Sequence, residues 1–540
     1  MLYFIKPLIV VLAVSAVAFH FSALAFVDSV DRRRFAQWRN IFMVITTIGF
    51  LTPNFWLMLL FMTIAVLVMG RSEPFKPALY LLLLFALPAA DASVPGFAGI
   101  NNFLRVYPFN ILALLLLAPV MIGGTQIKLK KINFNMADFC FASFSLLVVA
   151  LAFRDTTMTD GIRRSTDYFL TALPPYLVFS RIHWTLDRLK VATAALVAPL
   201  IALSAIGVVE VVLHWHVYNA AVDNWNVRFL GRYLQRSGML RAYASVIGPI
   251  AFGVYLMIAV SVTPALIGVA KKKFLARGGL ATLVAGLISS MSRGPWMAAA
   301  LSVLIQAATT RRPVSNLTRL GFGALALFPI VAMTPLGAKI IELLPFIGTA
   351  ETSTIDYRQD LATIGWQVVM QNPLFGSEYY LNTPAMQTLI QGQGIIDIVN
   401  TYLQFALDYG LVGMGLFVAT QFFALLSLYR TIGPARKISV DLGAFCQGYF
   451  AALLSTLVVI ATTSSVVAQM QEVIWLMCGI SVGVARSVAL VREEAKAPKP
   501  AEAAPPTGEA RAVDGPPSRQ KKPPSGNLPP HLRQYARRPS

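Results

Sequence analysis

The feature that most limits what this chain can fold into is a recurring apolar run, uncharged for about 17 to 25 residues at a time. Val191–Val209, Leu320–Leu336 and Leu411–Tyr429 are three examples. As a helix, each is long enough to cross a hydrocarbon core of about 30 Å. A lipid interior offers no water to backbone N–H and C=O groups, so a spanning segment must satisfy them internally. The composition agrees: 56% of residues are hydrophobic and 13% charged, where soluble domains average about 25% charged. An all-α, polytopic membrane helix bundle is expected, with roughly 14 transmembrane helices read from the hydropathy pattern. No internal repeat of the kind that marks many transporters is visible.

The net charge of +20 does not point to nucleic acid, because the basic residues fall in short loops and in the C-terminal tail. That is the pattern of cytoplasmic loops next to a membrane. Residues 491–540 are rich in Pro, Ala, Lys and Arg without apolar periodicity, and read as a disordered basic cytoplasmic tail. That tail is open to two readings, a solubilising extension or a segment that binds a cytoplasmic partner or anionic lipid. Counting spans back from it puts the basic loops near Lys128–Lys131, Arg181–Lys190, Lys271–Arg277, Arg311–Arg319 and Arg430–Lys437 on the inner side. The opposite side receives Asp91–Asn102, Arg154–Ser165, His214–Arg241, the Met291–Pro295 turn and a long segment ending near Gly410. Arg154, Arg163 and Arg164 fit the charge rule poorly there. Lys6–Val27 is taken as a span, and a break at Thr52-Pro53-Asn54 divides Ile41–Gly70 into two legs, with Arg32–Arg34 inside. The chain then divides into helices over 1–335, a large outer loop over 336–410, helices over 411–490, and the tail. Cys140, Cys446 and Cys478 lie in apolar stretches at no metal-binding spacing and read as buried.

Three outer features carry chemistry. In the long loop, Tyr357, Leu361, Ile364 and Val368 recur at helical spacing, with Ser353 or Thr354 as N-cap and Asn372-Pro373 as a stop. This predicts an amphipathic helix. Its Arg358, in an otherwise acidic loop, is open to an ion pair with Asp356 or Asp360. In His214–Arg241, Arg228, Arg232 and Arg236 recur every four residues, as an interfacial helix whose arginines meet headgroups or as a pyrophosphate clamp. Arg293 differs, since Ser292-Arg293-Gly294-Pro295 joins two apolar segments. A permanent charge there marks a site or snorkels to the interface, and the turn exposes backbone N–H groups at the next helix start.

Four stretches together resemble the O-antigen ligase and Wzy-type polymerase family. They are Arg236-Ser237-Gly238-Met239-Leu240-Arg241 before a span, Ser292-Arg293-Gly294-Pro295-Trp296, and Tyr357-Arg358 followed by Trp366 and Asn372-Pro373-Leu374-Phe375-Gly376. The fourth is Asn400-Thr401-Tyr402-Leu403-Gln404 with Asp408-Tyr409-Gly410-Leu411-Val412-Gly413. The likeness covers about residues 220–430 and depends on the order and common side of these motifs. It implies a transmembrane glycosyltransferase fold in the bacterial inner membrane, with the large loop periplasmic. It also implies an undecaprenyl-pyrophosphate-linked glycan donor, a glycan acceptor and inversion at the anomeric carbon, in exopolysaccharide, capsule or O-antigen synthesis. A chain-length regulator is a conceivable partner of such an enzyme.

Pyrophosphate is a good leaving group, so guanidinium groups that meet its growing charge can supply much of the catalysis. By this resemblance Arg293, Arg358, Arg241 and Arg236 contact the pyrophosphate. No Asp-x-Asp sequence and no acidic or histidine cluster has metal-site spacing, so neither metal nor cofactor is expected. Where ligases of the family carry an activating histidine, this chain has Val399 beside Asn400, and no histidine lies between His216 and His531. Asp397 and Glu378 are the candidate bases, each also readable as a solvated loop acid. The missing histidine favours a polysaccharide polymerase over a ligase to lipid A core. A glycolipid or solute transporter is the alternative from another class.

Overall fold

The computed structural model describes residues 4–96, 102–123, 134–227, 235–236, 238–246, 248–334, 337, 352–391, 394–464 and 468–496. Lys128–Lys131, Arg228, Arg232 and the tail beyond Lys496 lie outside them, as does most of the segment joining the helix that ends at Ala332 to the one that begins at Thr352. Among the described residues the architecture is helical, with two short hairpins pairing Ala92–Pro95 with Asn102–Val106 and Gln235–Arg236 with Met239–Leu240.

Among the described residues, six helices are long and apolar enough to cross a membrane: Ile5–Ala25, Leu186–Leu213, Pro249–Val269, Thr401–Ile438, Val440–Ile460 and Gln469–Ala495. Phe55–Met69, Pro108–Met121 and Met136–Leu151 are shorter apolar segments. Length and composition alone therefore do not reach the fourteen spans expected. Some of the remaining helices are short, such as Lys76–Leu83, and others carry charge, such as Met158–Arg181 with Asp160, Arg163, Arg164 and Asp167. Leu146, Phe322 and Leu325 are exposed on helix flanks, as residues that face lipid would be. The break in the second hydrophobic stretch is where the sequence places it. Arg32–Leu51 ends before Pro53, and the Asn54 side chain caps the next helix by accepting from the N–H groups of Trp56 and Leu57.

Pro249–Val269 is the most enclosed of the six spans, packed against Val440–Ile460, Lys273–Ser289 and Arg293–Ala308. Its close approach to the last of these needs Gly253, where a Cβ would meet Pro295 at 2.8 Å. At one end of the bundle lie Arg32–Arg34, Lys271, Arg311 and Arg436. Lys271 Nζ stands 3.6 Å from Asp28, and Arg436 donates to the Thr309 carbonyl at 2.6 Å. The other end carries the start of Arg293–Ala308 and the long loop.

That loop is ordered by a small core of its own. Helix Thr352–Val369 buries Leu361 and Val368, with Tyr357 and Ile364 half-buried, against Met386, Leu389, Ile398 and Leu403. The periodic face predicted from sequence is the face that packs. The helix spans Thr352–Val369, and the side chains of Ser353 and Thr354, the expected caps, lie outside what the structure describes.

Two motifs that sequence presents separately form one joint. Gly376 and Gly410 both have φ of +69°. A Cβ on Gly376 would sit 2.3 Å from the Leu407 carbonyl oxygen, and one on Gly410 would sit 2.2 Å from that of Leu374. The Ser377 N–H donates to Leu407 O at 2.9 Å, and the Leu411 N–H to Pro373 O at 2.7 Å. Arg154 staples the joint from the Met136–Leu151 side, donating to the carbonyls of Phe375 (2.7 Å), Gly376 (3.0 Å) and Asp408 (3.1 Å). Arg163 pairs with Asp160 at 2.7 Å and Arg164 with Glu378 at 2.5 Å. Each of these three arginines thus has a partner at this end of the bundle.

Candidate active site

The site is built on the turn between Lys273–Ser289 and Arg293–Ala308. Met291 takes a left-handed conformation with φ of 47°, which reverses the chain and leaves Ser292 as the residue before the next helix. Ser292 Oγ donates to Ser290 O at 3.0 Å and makes no cap to its own helix. The first N–H groups of that helix therefore remain without a side-chain cap, a position favourable to an anion. Gly294 lets the turn close onto Thr462, whose Oγ1 would lie 3.1 Å from a Cβ there.

Guanidinium groups from distant parts of the chain converge on this turn. Arg241 Nη2 donates to Ser292 Oγ at 3.0 Å, and its Nε lies 3.5 Å from Ser290 O. Arg236 Nη1 donates to Met291 O at 2.8 Å, from a hairpin turned at Gly238. Arg236 therefore sits on a β-hairpin and not on the interfacial helix expected; a tight turn at a left-handed glycine ended any helical register there. Arg358 keeps much of its side chain exposed and reaches Thr462 O at 3.4 Å. It forms no ion pair with Asp356 or Asp360, whose exposed side chains lie on the solvent face of the same helix.

The electrostatics confirm the proximity. Burial, then Arg236 and Arg293, push the Arg241 guanidinium down to about 10. Partial burial and Arg293 lower Arg358, and Asp397 opposes that shift. Asp397 is raised by partial burial and pulled back by Arg358. Arg293 has no hydrogen bond or acidic partner among the described residues, and its Nε is buried. Among the described residues, Arg241 feels Arg236 and Arg293, Arg358 feels Arg293, and Asp397 is the acid that acts on Arg358.

The fold holds Asp397 in place through its backbone. Tyr357 Oη donates to Asp397 O at 3.0 Å and accepts from the Asp397 N–H at 3.1 Å. Val399 and Asn400 line a cavity of about 230 Å³ with Arg358 and Thr462. The position of the missing histidine thus lies beside the arginine set. Glu378 does not join it: its carboxylate pairs with Arg164 in a separate pocket beneath the loop. His216 is buried against Tyr243 and Glu210, and His214 caps the end of Leu186–Leu213.

Glu210 is a residue that the sequence motifs do not single out. Wholly buried, it accepts from the N–H groups of Val217 (3.2 Å), Tyr243 (3.1 Å) and Ala244 (3.0 Å). The Ala242 N–H donates to Ser289 O at 3.0 Å. Together these contacts fix the strand that presents Arg241 to the turn. The available signal is a lone acid closing an uncharged apolar run. Thr462 carries no such signal, because only folding brings it to Gly294. Among the described residues, no three His, Cys, Asp or Glu side chains gather as a metal-binding group.

The fold and the site define a class: a multi-pass helical membrane protein with a guanidinium cluster on a helix-start turn at one end of its bundle. The family model described as O-antigen ligase matches residues 278–418, a stretch that contains Arg293, Arg358, Glu378 and Asp397. Over that stretch, about a quarter of the chain, the sequence is similar to the O-antigen ligase family. No curated protein matches the chain.

Proposed function

We propose that this protein transfers glycans from an undecaprenyl-pyrophosphate-linked oligosaccharide, as a polysaccharide polymerase, at the periplasmic face of the bacterial inner membrane. The placement of Arg236 and Arg241 on the Ser290–Arg293 turn, with Arg358 on the neighbouring Thr462, carries this reading, and Arg293 has no hydrogen bond or acidic partner among the described residues. Guanidinium forks match phosphate oxygens in pairs. Here they surround helix-start N–H groups that add to the same field. The acceptor hydroxyl attacks the anomeric carbon from the face opposite the pyrophosphate. As the new glycosidic bond forms, the bond from the anomeric carbon to the pyrophosphate oxygen breaks and the configuration inverts. The arginines meet the negative charge that leaves with the lipid pyrophosphate. Asp397 takes the hydroxyl proton, being the acid held against Arg358.

The large loop faces the periplasm in this proposal, and the basic end of the bundle, with the C-terminal tail, faces the cytoplasm. The positive-inside rule supports that orientation. The arginines supply the charge that a metal would otherwise bring, so transfer is metal-independent. The test uses the purified protein in liposomes with lipid-pyrophosphate-linked oligosaccharide and a free glycan acceptor. Release of lipid pyrophosphate with elongation of the acceptor, unaffected by EDTA, is the expected result. Movement of the glycolipid across the bilayer without an acceptor, and no elongation, would favour the transporter reading. Elongation only of lipid A core would favour the ligase reading.

A further inference from the structure

A second cavity of about 480 Å³ lies beneath the loop joint, apart from the arginine set. Its walls come from the helices beginning at Met136, Met158 and Thr401, and its roof from Ser377–Leu381. In charge it differs from the first site: Arg105, Arg154 and Arg164 face Asp167, Glu378 and Asp408. Acids and bases are interleaved here, unlike the one-signed cluster that suits a pyrophosphate. Between them stand tyrosine rings, Tyr107, Tyr168, Tyr380 and Tyr409. Aromatic faces suit the C–H side of a sugar ring. Carboxylates accept from its hydroxyls and guanidiniums donate to them.

Several of these groups are already engaged. Arg164 pairs with Glu378, Tyr168 Oη lies 2.9 Å from Ser145 Oγ, and the Arg154 Nη atoms hold backbone carbonyls. Two atoms are not: Asp167 Oδ1 and Arg154 Nε are buried without a hydrogen-bond partner among the described residues. A buried polar group left in that state costs free energy that a ligand hydroxyl would recover. The two sites are also at a fixed spacing. Asn400 lines the cavity beside Arg358 and Asp408 lines the second one. Eight residues of helix at 1.5 Å each separate them by about 12 Å.

We infer that this cavity is a saccharide subsite, holding an uncharged sugar of the glycan a short chain-length away from the reacting carbon. Asp167 and Tyr107 are its specificity-determining contacts. The inference rests on the glycan-transfer reading and names the part of the substrate that this pocket recognises. The sugar comes from the donor or from the acceptor, and either source has the same chemistry.

The test titrates full-length protein in detergent with oligosaccharide fragments released from the producing cell's own surface polysaccharide. Wild type and Arg293→Ala are expected to bind them equally, because the arginine set lies outside the pocket. Asp167→Asn is expected to weaken binding about ten-fold or more, as loss of a charged acceptor does. Tyr107→Phe serves as a second variant, milder and without a charge change, should Asp167→Asn melt early. In the liposome assay the same variants should raise KM for one glycan while kcat holds. A rise for the lipid-linked donor assigns the sugar to it, and a rise for the free fragment assigns it to the acceptor. Fragment affinity unchanged in both variants, or no fragment binding to wild type, overturns the subsite whatever the transfer assay gives. A protein that binds fragments but turns over no lipid-linked glycan leaves the subsite standing and sinks the transferase reading.

Discussion

Arg293→Ala separates the proposed catalytic charge from a structural one. Most buried or half-buried arginines in the structure have protein partners, as Arg154 does with three carbonyls. Removing such a residue strands its acceptors. Arg293 has no hydrogen bond or acid to strand among the described residues, and its charged neighbours Arg241 and Arg358 carry the same sign. Truncation should therefore change stability by no more than about 0.5 kcal/mol, and relief of repulsion favours a slight gain. The rate should respond differently. One donor aimed at developing negative charge contributes about 10²–10³ in turnover, or about 2.7–4 kcal/mol. The assays are a thermal melt of the purified variant in detergent and lipid-pyrophosphate release in liposomes. In cells the matching readout is loss of long-chain polysaccharide at unchanged protein level. Arg293→Lys should fall between, since the ammonium keeps the charge and loses the fork. Turnover within two-fold of wild type, or a melting temperature lowered by more than a few degrees with activity lost in proportion, would refute the reasoning.

Glu210→Gln should behave in the opposite way. The loss of a charged acceptor for three backbone N–H groups costs about 2 kcal/mol, so the melting temperature and the activity should fall together. Gly410→Ala forces a side chain into a left-handed conformation and against the Leu374 carbonyl. The conformational part alone costs about 1–2 kcal/mol, and the amount of folded protein in membranes should drop sharply. Asp397→Asn should remove the acid limb of the pH–rate profile. Partial burial raises the Asp397 carboxyl, so the rate climbs as pH rises through a value above the ordinary aspartate range. The same raised value means that the folded state binds more protons than the unfolded one, so this group's contribution to stability falls as pH rises through it. A profile without an acid limb in wild type would exclude Asp397 as the base.

The sequence by itself determined the bundle, the break at Thr52-Pro53-Asn54 and the packed face of the Thr352–Val369 helix. Each of these follows from local rules: run length against membrane thickness, the proline and the capping asparagine, and the 3.6-residue period. The sequence also offered the arginines as candidates, because a permanent charge beside an uncharged run stands out. It did not place them. Tertiary structure alone decided that Arg236, Arg241, Arg293 and Arg358 meet at one turn, and that Glu378, equal to Asp397 as a sequence candidate, pairs with Arg164 in another pocket. It also decided that two glycine motifs 34 residues apart close into one joint at Gly376 and Gly410. The physical reason is the same in each case. Helical period and hydropathy act over a few residues, whereas the meeting of these groups depends on which helices pack together and how closely a glycine lets their backbones approach.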